Sequence, residues 1–156
     1  MPNKKIAQYR GTEARFCLDL NRVQYVIWQF TEPNDISYAL LSETEYAGYH
    51  SYFRTTETDA AFAWFKRQLT PRGFTLIDNP YFKFLFKTED LRSVHYTIED
   101  TRDYDEAGEV QKTWAKQRLD IDLSGFSSVE IYPNSPEHNY MKLDEVYEEL
   151  ITYMLR

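Results

Sequence analysis

Cysteine is the scarcest chemistry in this chain of 156 residues, occurring once, at Cys17. A single thiol excludes an intramolecular disulfide and a cysteine-based zinc framework. Glycine is also short: five in all leave no Gly-rich phosphate loop, and neither a G-x-S-x-G turn nor an H-E-x-x-H pair occurs. Long apolar runs are missing, since no stretch approaches the roughly 18 uninterrupted apolar residues of a membrane span. The opening Met-Pro-Asn-Lys-Lys-Ile has no apolar signal region. These absences set the expectation of a cytoplasmic protein with no membrane attachment, metal or cofactor. No pairing of nucleophile and base is legible, so no catalytic residue is assigned and a non-enzymatic role is favoured.

Positive charge is in deficit, 18 Lys and Arg standing against 25 Asp and Glu for a net charge of −7. The excess is confined to the second half: residues 1–78 carry nine of each sign, whereas residues 79–156 carry nine cations and sixteen carboxylates. Phosphate-backbone binders normally present a basic stripe, so nucleic acid is not the expected partner. Lys4, Lys5, Arg10, Arg15 and Arg22 make the first segment locally basic. Scattered at that spacing, they read as a solvated terminus. An acidic second half is complementary to a basic protein.

Aromatic side chains are abundant, with 13 Tyr and 10 Phe. They organise the periodic segments. Read with period two, Phe82, Phe84 and Phe86 share one strand face, and Val94, Tyr96 and Ile98 share a face of the next. A three-residue turn, Glu89-Asp90-Leu91, would pair Phe86 with Val94, Phe84 with Tyr96 and Phe82 with Ile98, leaving Lys83, Leu85, Lys87 and His95 on the other face. Residues 14–20, 23–31 and 36–41 read as a strand meander. Ser42-Glu-Thr-Glu45 reads as a capping box opening a helix whose stripe holds Tyr46, Tyr49, His50 and Phe53. A second helix starts near Thr56, buries Ala61, Phe62, Phe65 and Leu69, and stops at Thr70-Pro71-Arg-Gly73. Residues 99–108 read as a polar loop, residues 109–117 are ambiguous, and Leu119-Asp-Ile-Asp-Leu123 alternates as a strand. The last helix is the clearest, with Leu143, Val146, Tyr147, Leu150, Ile151 and Met154 on one stripe.

The expected architecture is one α+β domain over residues 1–156. It has an antiparallel sheet of about six to eight strands with two or three helices, the C-terminal helix packed on one sheet face. Within it, Asp100, Asp103, Asp105, Glu106 and Glu109 form the most acidic segment. Laid on the EF-hand pattern from Asp103, Asp105 and Gly108 match, but Ala107 and Trp114 fall where ligands belong, so calcium is not supported. Those five carboxylates are instead the candidates for docking a basic protein, in the manner of an inhibitor, immunity or accessory protein. The alternative is a small-ligand or enzyme pocket beside the His50 helix, with Tyr46, Tyr49, His50 and His95 as lining candidates. Cys17, inside an apolar strand pattern, reads as a buried thiol.

Overall fold

The structure is a computed structural model that describes residues 4–30, 35–41, 48–53, 56–133 and 142–156. Among the described residues, ten strands and two helices follow in chain order: β1 (Ile6–Arg10), β2 (Arg15–Asp19), β3 (Val23–Gln29), β4 (Asp35–Leu41), β5 (Gly48–Phe53), α1 (Thr58–Leu69), β6 (Thr75–Asn79), β7 (Phe82–Phe86), β8 (Leu91–Tyr104), β9 (Val110–Leu123), β10 (Ser127–Ile131) and α2 (Leu143–Met154). The strands form three antiparallel sheets, ordered β1-β2, β5-β4-β3-β7-β6 and β10-β9-β8. The mixed α+β class is as expected, with more strands than the six to eight anticipated. The chain divides into two compact units, Met1–Asp90 with Ser124–Ser127, and Leu91–Leu123 with Ser128–Arg156. No helix among the described residues is long and apolar enough to cross a membrane.

In the first unit, β3 is the central strand because Val23-Gln-Tyr-Val-Ile-Trp28 offers β-branched and aromatic residues to both faces, and all six are buried. It pairs with β4 on one side (Val26 opposite Tyr38, Trp28 opposite Ile36) and with β7 on the other (Val26 opposite Leu85, Ile27 opposite Phe84). One face of this sheet contributes Val26, Trp28, Ile36, Tyr38 and Leu85 to a core shared with Ala61, Phe62, Phe65 and Leu69 of α1 and Tyr9 and Leu18 of the first hairpin. Phe16 joins these layers, stacked 5.0 Å from Tyr9 and 5.3 Å from Phe65. The opposite face presents Tyr25, Ile27, Ile77, Phe82, Phe84 and Phe86, every one buried. As expected, α1 stops at Pro71, and Gly73 takes the left-handed conformation (φ 89°) that a side chain would oppose.

The expected pairing of β7 with β8 does not form. Both edges of β7 are already occupied, by β3 and by β6, the latter through a tight Pro80-Tyr81 turn. Period-two alternation identifies a strand and its faces, but it cannot name the neighbour. Nor is the far side of β7 solvated: Leu85 is fully buried, and Lys83 rests its ammonium 5.7 Å from the Trp28 ring and 5.8 Å from Phe62. Likewise β2 pairs with β1, not β3 (Tyr9 opposite Phe16, Ala7 opposite Leu18), so the segment read as a solvated basic terminus is a strand. Cys17, expected to be buried, is exposed on β2. The expected helix carrying Tyr49 and His50 is corrected too, because residues 48–53 are strand β5, with Leu40 opposite Tyr49 and Ala39 opposite His50. The capping box and Tyr46 lie outside the described residues.

The second unit is built on β8 and β9, each fourteen residues long. The stretch read as a polar loop is therefore mostly ladder, with only residues 105–109 left to turn. Helix α2 packs on β8 and β9, burying Leu143, Val146 and Leu150 and setting Tyr147 against Tyr96 at 6.4 Å between ring centres. The C-terminal helix thus lies on a sheet face as its stripe implied, although Met154, at the end of that stripe, is exposed.

Candidate functional site: an acidic two-stranded arm

The β8–β9 hairpin changes character along its length. Near its base, Leu119, Ile121 and Leu123 are buried, and Val94 and Tyr96 are half-buried. Beyond Thr97, the β8 residues through Tyr104 are exposed apart from half-buried Thr101, and so is the whole turn. Two features cause the change. The backbone N–H of Leu143, at the start of α2, donates to Gln117 Oε1 (3.3 Å), and Gln117 lies opposite Ile98. From there α2 runs toward Tyr96, away from the tip, so the helix covers only the basal part of that face. On the other side of β9, β10 is five residues long and cannot flank a fourteen-residue strand.

What remains is a ribbon of paired polar residues. Glu99 stands opposite Lys116, Thr101 opposite Trp114, Arg102 opposite Thr113 and Asp103 opposite Lys112, with a bulge at Gln111 before Tyr104 meets Val110. Alternation puts Ile98, Asp100, Arg102 and Tyr104 on one face and Glu99, Thr101 and Asp103 on the other. Ile98, Tyr104 and Val110 are apolar yet 61%, 59% and 50% exposed. The tip is closed by Asp105, whose Oδ1 accepts from the backbone N–H groups of Ala107 (3.0 Å) and Glu109 (2.9 Å). Gly108 takes the left-handed conformation (φ 80°) that the turn requires.

All five expected docking carboxylates therefore fall on one hairpin end, Asp100 and Asp103 on β8 and Asp105, Glu106 and Glu109 in the turn. Glu99 was not singled out from sequence but belongs with them. Over residues 99–112 the arm carries six carboxylates against Arg102 and Lys112. Among the described residues no ion pair holds any of the six. The base of the hairpin is neutralised internally instead: Arg118 pairs with Asp120 (3.0 Å) and Glu130 (2.9 Å), and Lys116 lies 4.0 Å from the Tyr132 ring centre. The hydrogen bond that Arg118 Nε donates to the Asp120 carboxylate is the main reason that the Arg118 pKa is raised.

The other sequence candidates are not gathered by any one element. Tyr49 and His50 are consecutive on β5 of the first unit, and His95 is exposed on β8 of the second, opposite Asp120. No group of His, Cys, Asp and Glu among the described residues is arranged to hold a metal ion.

Sequence reading missed the best-organised polar cluster. The Glu57 carboxylate, at the start of α1, accepts from the backbone N–H groups of Thr12 (3.0 Å), Glu13 (3.2 Å) and Ala14 (3.0 Å) and from Thr12 Oγ1 (2.9 Å). Glu13 answers by accepting from Thr56 N (2.8 Å) and Thr56 Oγ1 (2.7 Å). These bonds, led by the one from Ala14, hold the Glu57 pKa down to about 2. Gly11 allows the approach, because a Cβ there would lie 1.8 Å from Glu57 Oε1. Thr-Glu occurs five times in the chain, at 12–13, 31–32, 44–45, 56–57 and 88–89, so the pairing of Thr12-Glu13 with Thr56-Glu57 left no signal in sequence. This cradle of N–H groups is filled by the chain's own carboxylate, so it fastens the β1–β2 turn to α1 and leaves no room for an outside anion.

No family model matches the chain, and comparison with curated proteins and with solved structures finds no match.

Proposed function

We propose that this protein is a non-enzymatic, cytoplasmic protein-binding module that docks a basic protein with the distal β8–β9 arm. The observation that carries the reading is the arm itself, a ribbon on which every β8 residue beyond Thr97 except half-buried Thr101 is exposed and whose six carboxylates make no direct ion pair among the described residues. Exposed charges of one sign on a narrow support act mainly on encounter, raising the association rate of a basic partner over a screening length of about 8 Å at physiological salt. Ile98, Tyr104 and Val110 then supply apolar area that is released from water on contact. An inhibitor, immunity or accessory protein acts by covering a partner's surface and needs no reacting group of its own.

The test compares wild type with Asp103→Lys/Glu106→Lys/Glu109→Lys, which spares the turn-forming Asp105. In affinity capture from cell extract, a basic protein should be retained by wild type at low salt and released at high salt. With that protein purified, the triple reversal should lower the association rate at least tenfold. A partner bound equally well by both proteins, with no salt dependence, would rule the reading out.

A further inference from the structure

We infer that β8 receives the basic partner as an added strand along its outer edge, between Ile98 and Tyr104. This rests on the docking role proposed for the arm and specifies its mode. In the sheet order β10-β9-β8, β8 is an edge strand, so alternate backbone N–H and C=O groups along its outer side face no other strand among the described residues. An exposed edge of this length invites pairing with whatever extended chain it meets, and native proteins restrict that choice with charge.

The charges here select against a second copy of the chain. Directly opposed residues of an antiparallel pair either both face inward or both face outward, so two copies of β8 related by a two-fold axis must match residues of the same parity. A two-fold axis at Glu99, Asp100, Arg102 or Asp103 sets that residue against its own copy. An axis at Thr101 sets Glu99 against Asp103 twice. Like charges directly opposite destabilise a ladder, so every register centred between Glu99 and Asp103 is opposed. A basic extended segment meets the reverse situation. Lys or Arg opposite Glu99 and Asp103, on one face, would each form a favourable cross-strand pair. Apolar residues would lie opposite Ile98 and Tyr104. The occupant is therefore an extended segment of a basic protein in which basic and apolar residues alternate. Main-chain bonds would supply much of its affinity and the side-chain pairs its register.

The probe is a seven-residue peptide alternating lysine and valine, blocked at both ends, and the same peptide N-methylated at alternate residues. Altering the peptide leaves the protein's own folding untouched. Binding of the parent should protect from hydrogen exchange the outward-facing backbone amides, every second one between residues 98 and 104, and Glu99→Lys/Asp103→Lys should abolish it. N-methylation in one of the two alternating registers should weaken binding about tenfold or more, because it removes several main-chain bonds at once. If both N-methylated peptides bind as tightly as the parent, docking is by charge alone; strand addition is then wrong, while the basic-partner reading stands. If the peptide binds wild type and the charge-reversed arm equally, that reading fails with it. Sedimentation showing a dimer that the peptide dissociates would assign the edge to a second copy and overturn the proposal.

Discussion

Glu57 shows how a single side chain can be placed more firmly than any hydrophobic pattern reveals. Three backbone N–H groups and a hydroxyl converge on it. Its folded pKa, about 2, lies below the ordinary value of 4.5. A carboxylate depressed in this way adds stability that is fully present above its unfolded value and is lost as pH falls through that window toward about 2. Glu57→Gln would turn an amide NH₂ toward donors that need an acceptor. The urea midpoint of that variant should therefore lie below wild type at neutral pH and change less between the two pKa values. Parallel pH profiles for the two proteins would show that the cradle does not hold this charge. None of this was visible in sequence, because the partners are 43 to 45 positions apart and a Thr-Glu dipeptide is unremarkable alone.

At the scale of elements, legibility followed burial. The stripe of α2 was readable because it buries one face and solvates the other. The Phe82/Phe84/Phe86 row was readable as a strand, yet β7 is buried on both faces between β3 and β6, and its neighbours were not. The arm failed in the opposite way. Glu99 to Tyr104 is exposed on nearly every side, so no alternation of apolar and polar residues records that it is a ladder. The acidic residues were picked out by composition, and the hairpin that collects them was not. The contrast is measurable. Phe84→Ala, at the fully buried middle of β7, should cost about 3–5 kcal/mol in chemical denaturation. Ile98→Ala, on the exposed ribbon, should stay within about 0.5 kcal/mol. A large loss at Ile98 would mean that the arm is packed in solution.

Over the whole molecule, the acidic balance has a consequence independent of any partner. With a sequence pI of about 5.0, solubility should pass through a minimum near that pH and recover on either side. The triple reversal on the arm exchanges three negative charges for three positive ones, which should move the minimum upward. An unmoved minimum in a turbidity titration would show that these carboxylates do not face solvent. Composition alone predicted this behaviour, since net charge requires no knowledge of the fold. Division of the chain into two units is different, because it depends on which strands pair.

One position expected to be buried turns out to be useful. Cys17 faces water from β2, in the unit that does not contain the arm, and it is the chain's only thiol. A maleimide dye would therefore attach at one defined atom, without touching a carboxylate of β8 or its turn. Each molecule would then carry a single optical reporter, and arrival of a partner could be followed by the slowing of its tumbling.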